Sequence, residues 1–405
     1  RIKTIPAAAW PSQPDIQIRF KPPQHDHCGG SVFPNSPHDS GFVTRRPHMK
    51  ISLALALGAL LLTSTAALAQ EEKVLNVYNW SDYIADDTIA KFEAETGIHV
   101  NYDVYDSNEI LEAKLLAGNS GYDVVVPSAN FLERQIAAGI FLPLDKSKLP
   151  NLKNMDPDGM AAVAVHDPDN AHSIPYMTFT VGLGFNVDKV KAALGDVPVN
   201  SWDIVFKPEN AAKLKDCGLV MLDSPSEIMA SALKYLGKDP NSESLDDLKA
   251  ATDLMLSIRP YIRYFHSSQY IDDLGNGEIC AAVGYSGDVF IAKDAQADGV
   301  KVDYAIPKEG ALSSFDLLAI PADAQHPDNA HKFLNFIMEP QIVAAISDYV
   351  FYANLNKEAT QYVSDAVKNN PNIYPPDDVK KNLFALKAHS ADYDRELTRA
   401  WTQIK

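Results

Sequence analysis

Cysteine is scarce, three residues in 405, which excludes a disulfide-built scaffold or a Cys-rich metal domain. Long hydrophobic runs are missing too: the most apolar stretch, Ile51 to Leu62, is short for a bilayer span, and no later segment is apolar enough to try. Positive charge is in deficit, 36 Lys and Arg against 53 Asp and Glu, and this argues against nucleic acid as a partner. The signature loops of common enzyme chemistry are also absent. There is no Gly-x-Ser-x-Gly nucleophile turn, no His-Glu-x-x-His zinc pair and no Walker A loop, and Gly275-Asn-Gly277 reads as a turn. His99, His166, His172, His266, His326, His331 and His389 are scattered without paired spacing, so neither a metal nor a cofactor is expected.

What is present is enough apolar residue, 46% of the chain, for ordinary globular cores in two or three domains. The start of the chain stands apart. Residues 1–48 are rich in Pro, His and Arg and carry no apolar period; they read as a spurious or disordered extension, and their His25, His27 and Cys28 only imitate a metal cluster. Residues 49–69 have the parts of a cleaved secretory signal: Met49-Lys50, a short apolar run, and Ala67-Leu68-Ala69 before Gln70. An uncleaved anchor is the competing reading, and the shortness of the run weighs against it. A mature start near Gln70 implies a soluble protein sent to an oxidising compartment. Removing the seven basic and three acidic residues of 1–69 leaves 29 against 50, a net charge of about −21, which favours cationic ligands over anionic ones. The two remaining cysteines, Cys217 and Cys280, form an even pair in an oxidising compartment and read as a disulfide between distant strands of one lobe.

From Lys73 onward the pattern alternates strand and helix, with strands at Val74 to Tyr78, His99 to Tyr105 and Asp123 to Pro127. Gly97 and Gly118 stand where helix C-caps belong, and Ser107 opens the second helix. This predicts a βαβαβ half with a parallel sheet. The long run Ile174 to Asn186, β-branched and broken by glycine, suits a strand that leaves one domain for another, with a hinge near Tyr176. A second α/β unit follows, strands at Val302 to Ile306 and Phe315 to Ile320 return, and helices around Lys357 to Val367 and Asp377 to Leu386 close the chain.

In an open α/β sheet, ligands bind beyond the carboxyl ends of the strands. That rim collects Trp80, Ser81, Asp82, Tyr83 and Ser128 from the first half, and Ser224, Ser226, Glu227, Tyr285 and Asp288 from the second. Phe315, Asp316 and Tyr352 lie in the returning segments. Taken singly, each reads as packing or as a helix-start charge. Together, four carboxylates interleaved with aromatics and lacking any Arg or Lys point to a small organic cation. Acid–base pairs such as Asp288 with Asp316, the basis of a secreted hydrolase or lyase reading, are supplied by any acidic protein.

Several segments together resemble the periplasmic putrescine- and spermidine-binding proteins of bacterial ABC transporters: Asn79-Trp-Ser-Asp-Tyr83, Asp123-Val-Val-Val-Pro-Ser128, Phe131-Leu-Glu-Arg-Gln135, Gly284-Tyr-Ser-Gly-Asp288, Ala305-Ile-Pro-Lys-Glu-Gly310, Phe351-Tyr-Ala-Asn354 and Ile373-Tyr-Pro-Pro376. The resemblance covers about Lys73 to Lys405. It implies an α/β, two-lobed periplasmic binding protein fold of type II-like form, each lobe a mixed sheet flanked by helices and joined by crossover hinge strands. Residues 70–176 and 306–350 would form the first lobe, 177–305 and 351–405 the second. It further implies capture of putrescine or a related polyamine by lobe closure, without chemistry, and delivery to an inner-membrane ABC permease, the protein acting as a monomer.

On the same basis, Trp80 and Tyr83 would stack on the alkyl chain, Ser81, Asp82 and Ser128 would line the first lobe's side, and Glu227 would meet an amine or its water. Asp288 and Asp316 would pair with ammonium groups, and Tyr352 would close the aromatic box. The resemblance also supports the Cys217–Cys280 bond. Two positions depart from the family: Tyr285 stands where Trp is usual, and Ser314 where an aromatic is usual, which leaves diamine against triamine preference open. The alternatives are a receptor for another small cationic solute, or a chemosensory role on the same fold.

Overall fold

The computed structural model describes residues 71–405. The expectations for 1–48, for a signal at 49–69, for the His25, His27 and Cys28 group and for a start at Gln70 lie outside the described residues. None of the described helices is long and apolar enough to cross a membrane.

Strand β1 (Val74–Trp80) alternates partly exposed and buried side chains until its last two residues, Asn79 and Trp80, are both buried. It pairs in parallel along its whole length with β2 (His99–Tyr105), and on its other edge with the two-residue β3 (Val124–Val125). Three helices connect and follow them: α1 (Thr88–Thr96), α2 (Asn108–Leu116) and α3 (Ala129–Ala137). Their ends are set by local chemistry. Gly97 takes φ 68° and returns its N–H to the Glu93 carbonyl, and the Ser107 side chain accepts from the Ile110 N–H.

Strand β4 (Ser173–Asn186) is the long element, at 14 residues. After it come β5 (Leu219–Met221), β6 (Ile262–Phe265), β7 (Ala281–Tyr285), β8 (Val302–Ala305) and β9 (Leu312–Ala319). The strands run β2-β1-β3-β9-β4-β7-β5-β6, with β8 on β4. From Ser173 to Val181, β4 pairs antiparallel with β9; beyond that point it pairs with β7 and β8 instead. One strand therefore links the two ends of a single nine-stranded sheet, β9 returns beside it, and Thr178 bridges to Ala353 as the chain crosses again. This is a two-lobed α/β fold whose single mixed sheet passes from one lobe to the other through the crossover strands β4 and β9. Its first-lobe part is not purely parallel, because β9 runs antiparallel to β3.

Cys217 and Cys280 are bonded, with Cα atoms 5.5 Å apart. They precede β5 and β7, which are far apart in sequence and parallel neighbours in the sheet, so the bond ties two sequence-distant strands as expected. The tail differs. Of the helix expected over Lys357 to Val367 only Asp365–Lys368 forms, and of Asp377 to Leu386 only Asp377–Lys380. Asn356 accepts from the N–H groups of Glu358 and Ala359, and Asp348 from that of Ser364, so side chains take the bonds a helix would have used. The helix Ala391–Ile404, not anticipated, begins on a Ser390 cap and buries Tyr393, Leu397, Ala400, Trp401 and Ile404 on one face.

Candidate functional site

The strand ends converge as their positions imply. Trp80 closes β1, Ser128 is the cap residue of α3 just after β3, Tyr285 closes β7, and Asp288 sits in the first turn of the helix Ser286–Asp294. Asp316 comes from the middle of β9, and Tyr352 follows the helix Pro340–Val350 through Phe351, whose φ is 57°. They surround a cleft with about 430 Å³ of space between side chains, part of it open to solvent.

Two buried carboxylates dominate it, and hydroxyls hold both. Asp316 Oδ1 accepts from Ser128 Oγ at 2.6 Å and Oδ2 from Tyr83 OH at 2.7 Å. Asn108 Nδ2 donates to Ser128 Oγ at 3.0 Å and so fixes that hydroxyl. Asp288 Oδ1 accepts from Tyr352 OH and Oδ2 from Tyr270 OH, both at 2.7 Å. A third carboxylate, Glu227, accepts from Tyr285 OH at 2.7 Å through Oε2. Burial is the first cause in each case, and it pushes Asp288 and Asp316 up to about 7 and Glu227 up to about 8. The hydroxyl donors pull the other way, and the neighbouring Asp82 and Asp316 add to the rise of Asp288. No Lys or Arg lines the cleft.

Aromatic rings supply the walls. Trp80 Nε1 donates to the Val126 carbonyl at 2.8 Å, and its ring meets Tyr285 across the cleft at 6.1 Å between centroids. Tyr83 lies edge-on to Tyr352 at 5.0 Å and to Tyr176 at 5.3 Å. The glycines of the Gly284-Tyr-Ser-Gly-Asp288 segment have a packing reason: a Cβ at Gly284 would stand 2.5 Å from Tyr270 Cε2, and one at Gly287 2.0 Å from Tyr352 Cε2. Both tyrosines that grip Asp288 thus lie directly on the backbone that carries it.

Of the thirteen rim residues expected, Trp80, Ser81, Tyr83, Ser128, Tyr285, Asp288, Asp316 and Tyr352 line the cleft, while Ser224 and Ser226 are buried outside its lining. Glu227 joins them through Tyr285. Asp82 stands at the edge with φ 53°, where partial desolvation and then Asp272 of the other half raise its carboxyl. Phe315 is not brought in. Successive residues of a strand face opposite ways, so with Asp316 in the cleft Phe315 is turned to the far side, where it lines a separate cavity with Phe351 and Tyr374. Tyr105, Asp106, Phe179, Ser267, Ser268 and Ile271 line the cleft without having been anticipated. Of these, Phe179 carries a usable signal, its place in the long crossover strand. Tyr270 carries none, since only its hydroxyl bond to Asp288 reveals it. Glu109, which reads from sequence as a first-turn residue of α2, is a further buried carboxyl; burial pushes it up to about 7, and its Oε2 has no hydrogen-bond partner.

Such a site can neutralise two or three separated positive groups while rings cover a methylene chain between them. Residues 87–375 match the family described as bacterial extracellular solute-binding protein. The chain is 58% identical over 356 residues to the putrescine-binding periplasmic protein PotF of Escherichia coli (strain K12), covering 87% of this chain and 96% of that protein. It is 56% identical over 362 residues to the putrescine-binding periplasmic protein SpuD of Pseudomonas aeruginosa (strain UCBPP-PA14), covering 88% and 98%. Among solved structures, the Tp0655 (TpPotD) lipoprotein of Treponema pallidum superposes with a TM-score of 0.69 at 28% identity, over 82% of this chain and 99% of that one. The spermidine/putrescine ABC transporter substrate-binding protein PotD of Streptococcus pneumoniae superposes with a TM-score of 0.66 at 25% identity, over 82% and 98%.

Proposed function

This chain belongs to the bacterial extracellular solute-binding proteins, and from that premise we propose that it captures putrescine or a related polyamine between its lobes and delivers it to an ABC transporter permease of the inner membrane. The observation that carries the reading is the pair Asp288 and Asp316, buried, ringed by hydroxyl donors and aromatic faces, with no cation beside them. The relatives named for putrescine support the ligand class.

In this reading Asp316 and Asp288 pair with the ammonium groups, and Trp80, Tyr83, Tyr285 and Tyr352 cover the methylenes. Ser81 and Ser128 complete the polar wall, and Glu227 takes a further amine or its water. Asp82 guards the entrance. The first lobe comprises 70–176 and 306–350, the second 177–305 and 351–405, and the hinge lies near Tyr176. Ligand contacts with both lobes supply the differential affinity that favours the closed state, and the ligand leaves unchanged. The protein works as a monomer in the periplasm after cleavage before Gln70. Calorimetric titration with putrescine, cadaverine, spermidine and spermine tests the reading: a one-to-one complex with at least one is expected, and no heat with any of them rejects it.

A further inference from the structure

One ion pair joins the two halves outside the lining of the cleft. Arg134, on α3, donates from Nη1 to Asp394 Oδ2 at 3.0 Å. Asp394 lies in the helix Ala391–Ile404, which is bound to the other half. Its Trp401 Nε1 donates to Asp223 Oδ1 at 2.9 Å, and the Arg259 Nε donates to its Ile404 carbonyl at 2.7 Å. Among the described residues no other ion pair links α3 and its sheet to the β7-β5-β6 side.

The arginine is prepared for this contact within its own half. Glu112 of α2 takes Nε and Nη2 at 2.6 and 2.5 Å in a two-point fork, and the guanidinium lies 4.0 Å over the Phe131 ring. With the fork filled and the plane stacked, Nη1 remains directed at Asp394, so the pair forms with little loss of rotamer freedom. Asp394 Oδ1 also lies 3.6 Å from His389 Nδ1. The same α3 carries Ser128 at its cap, and Ser128 donates to Asp316. One rigid helix therefore presents a site hydroxyl at its start and the bridging arginine six residues on.

We propose that Arg134 is a positioning residue for ligand capture: through Asp394 it latches the closed lobes and slows ligand release, touching no ligand. The inference rests on lobe closure as read above. Both partners are about a quarter to a third exposed, 25% and 31%, so screening holds the effect to a modest size. A latch made only in the closed state acts on dissociation and leaves association alone.

The test is stopped-flow kinetics of putrescine with the purified protein and with Asp394→Asn, which keeps side-chain volume and the Arg134–Glu112 fork. The expected result is a dissociation rate raised about two- to tenfold, an unchanged association rate, and an unchanged melting temperature without ligand. Asp394→Glu should recover part of the loss, the ratio to wild type should approach one in roughly 0.5 M salt, and Arg134→Gln combined with Asp394→Asn should cost no more than one change alone. An unchanged dissociation rate overturns the inference. So does a slower association, or a lowered melting temperature without ligand. If the wild type binds none of the four amines, the ligand reading fails separately. The latch, which rests on it, falls with it, whereas a wild type that binds while the Asp394→Asn dissociation rate is unchanged overturns the latch alone.

Discussion

Tyr352 and Gly287 are fitted to one another. The tyrosine ring covers the place a Cβ would occupy, 2.0 Å from Cε2 and 2.4 Å from Cζ, and from there its hydroxyl donates to Asp288 Oδ1 and accepts the Asp288 N–H at 3.2 Å. Gly287→Ala must therefore expel the ring, removing a wall of the cleft and one donor to the carboxylate. Overpacking of this kind costs about 1–3 kcal/mol, so putrescine affinity measured by calorimetry should fall roughly 10- to 100-fold. Wild-type affinity in the variant would mean that Tyr352 can move without consequence.

Asp316→Asn, and separately Asp288→Asn, should weaken putrescine binding on the order of 2–5 kcal/mol, because an ammonium group would be desolvated against a neutral amide. The melting temperature without ligand should hold or rise, since both carboxyls are raised by burial and the amide relieves that penalty. Titration and thermal melts of the same variants separate the two effects. Undiminished binding in either variant would remove that residue from the site.

Affinity and ligand-free stability should respond to pH in opposite directions. Asp288 and Asp316 lie near 7 and Glu227 near 8, all above their ordinary values. A carboxyl raised on folding binds more protons folded than unfolded, so its contribution to stability declines as pH rises from about 4 to about 8 and is level above that. Ammonium groups require the ionised carboxylates, so affinity should climb across the upper part of that window and level off above about pH 8. Putrescine titrations at pH 6 in two buffers of different ionisation enthalpy should reveal proton release, and a shallower pH slope is expected in Asp288→Asn. Affinity that is flat from pH 5 to 8 would contradict the burial of these groups.

Removing the Cys217–Cys280 bond should lower stability and spare binding. The bond closes a span of 63 residues, and the chain-entropy estimate for such a loop is about 4 kcal/mol. It precedes β5 and β7, whereas the site residue Tyr285 lies at the far end of β7. In the Cys217→Ala, Cys280→Ala double variant, denaturant unfolding should show the loss while putrescine affinity stays within about twofold. A large fall in affinity would tie the bond to the geometry of the cleft.

How much of the site was readable differs residue by residue. Trp80, Ser128, Tyr285 and Asp288 follow from strand-then-helix patterning, because a strand's carboxyl end and the next helix's first turn are neighbours in sequence and in space. Phe315 and Asp316 show the limit of reading by proximity. The two-residue period lets only one of two consecutive strand residues face the cleft, and applying it strictly would have set Phe315 aside. Tyr270 and Asn108 could not be found this way, since their roles are hydrogen bonds to residues 18 and 20 positions away. The helix Ala391–Ile404 was legible in principle from its apolar spacing at Tyr393, Leu397, Ala400 and Trp401.

The amino-acid order by itself determined the alternation of strands and helices, the Ser107 and Gly97 helix ends, the long crossover strand and the acidic, aromatic character of the rim, because each depends on spacing or conformation within a few residues. Only the tertiary structure decided which carboxylates share a cleft, which hydroxyls hold them, and that Arg134 reaches Asp394 260 positions away. Burial and orientation come from contacts among segments distant along the chain. The burial that raises Asp288 and Asp316 exists only once those segments have closed around both.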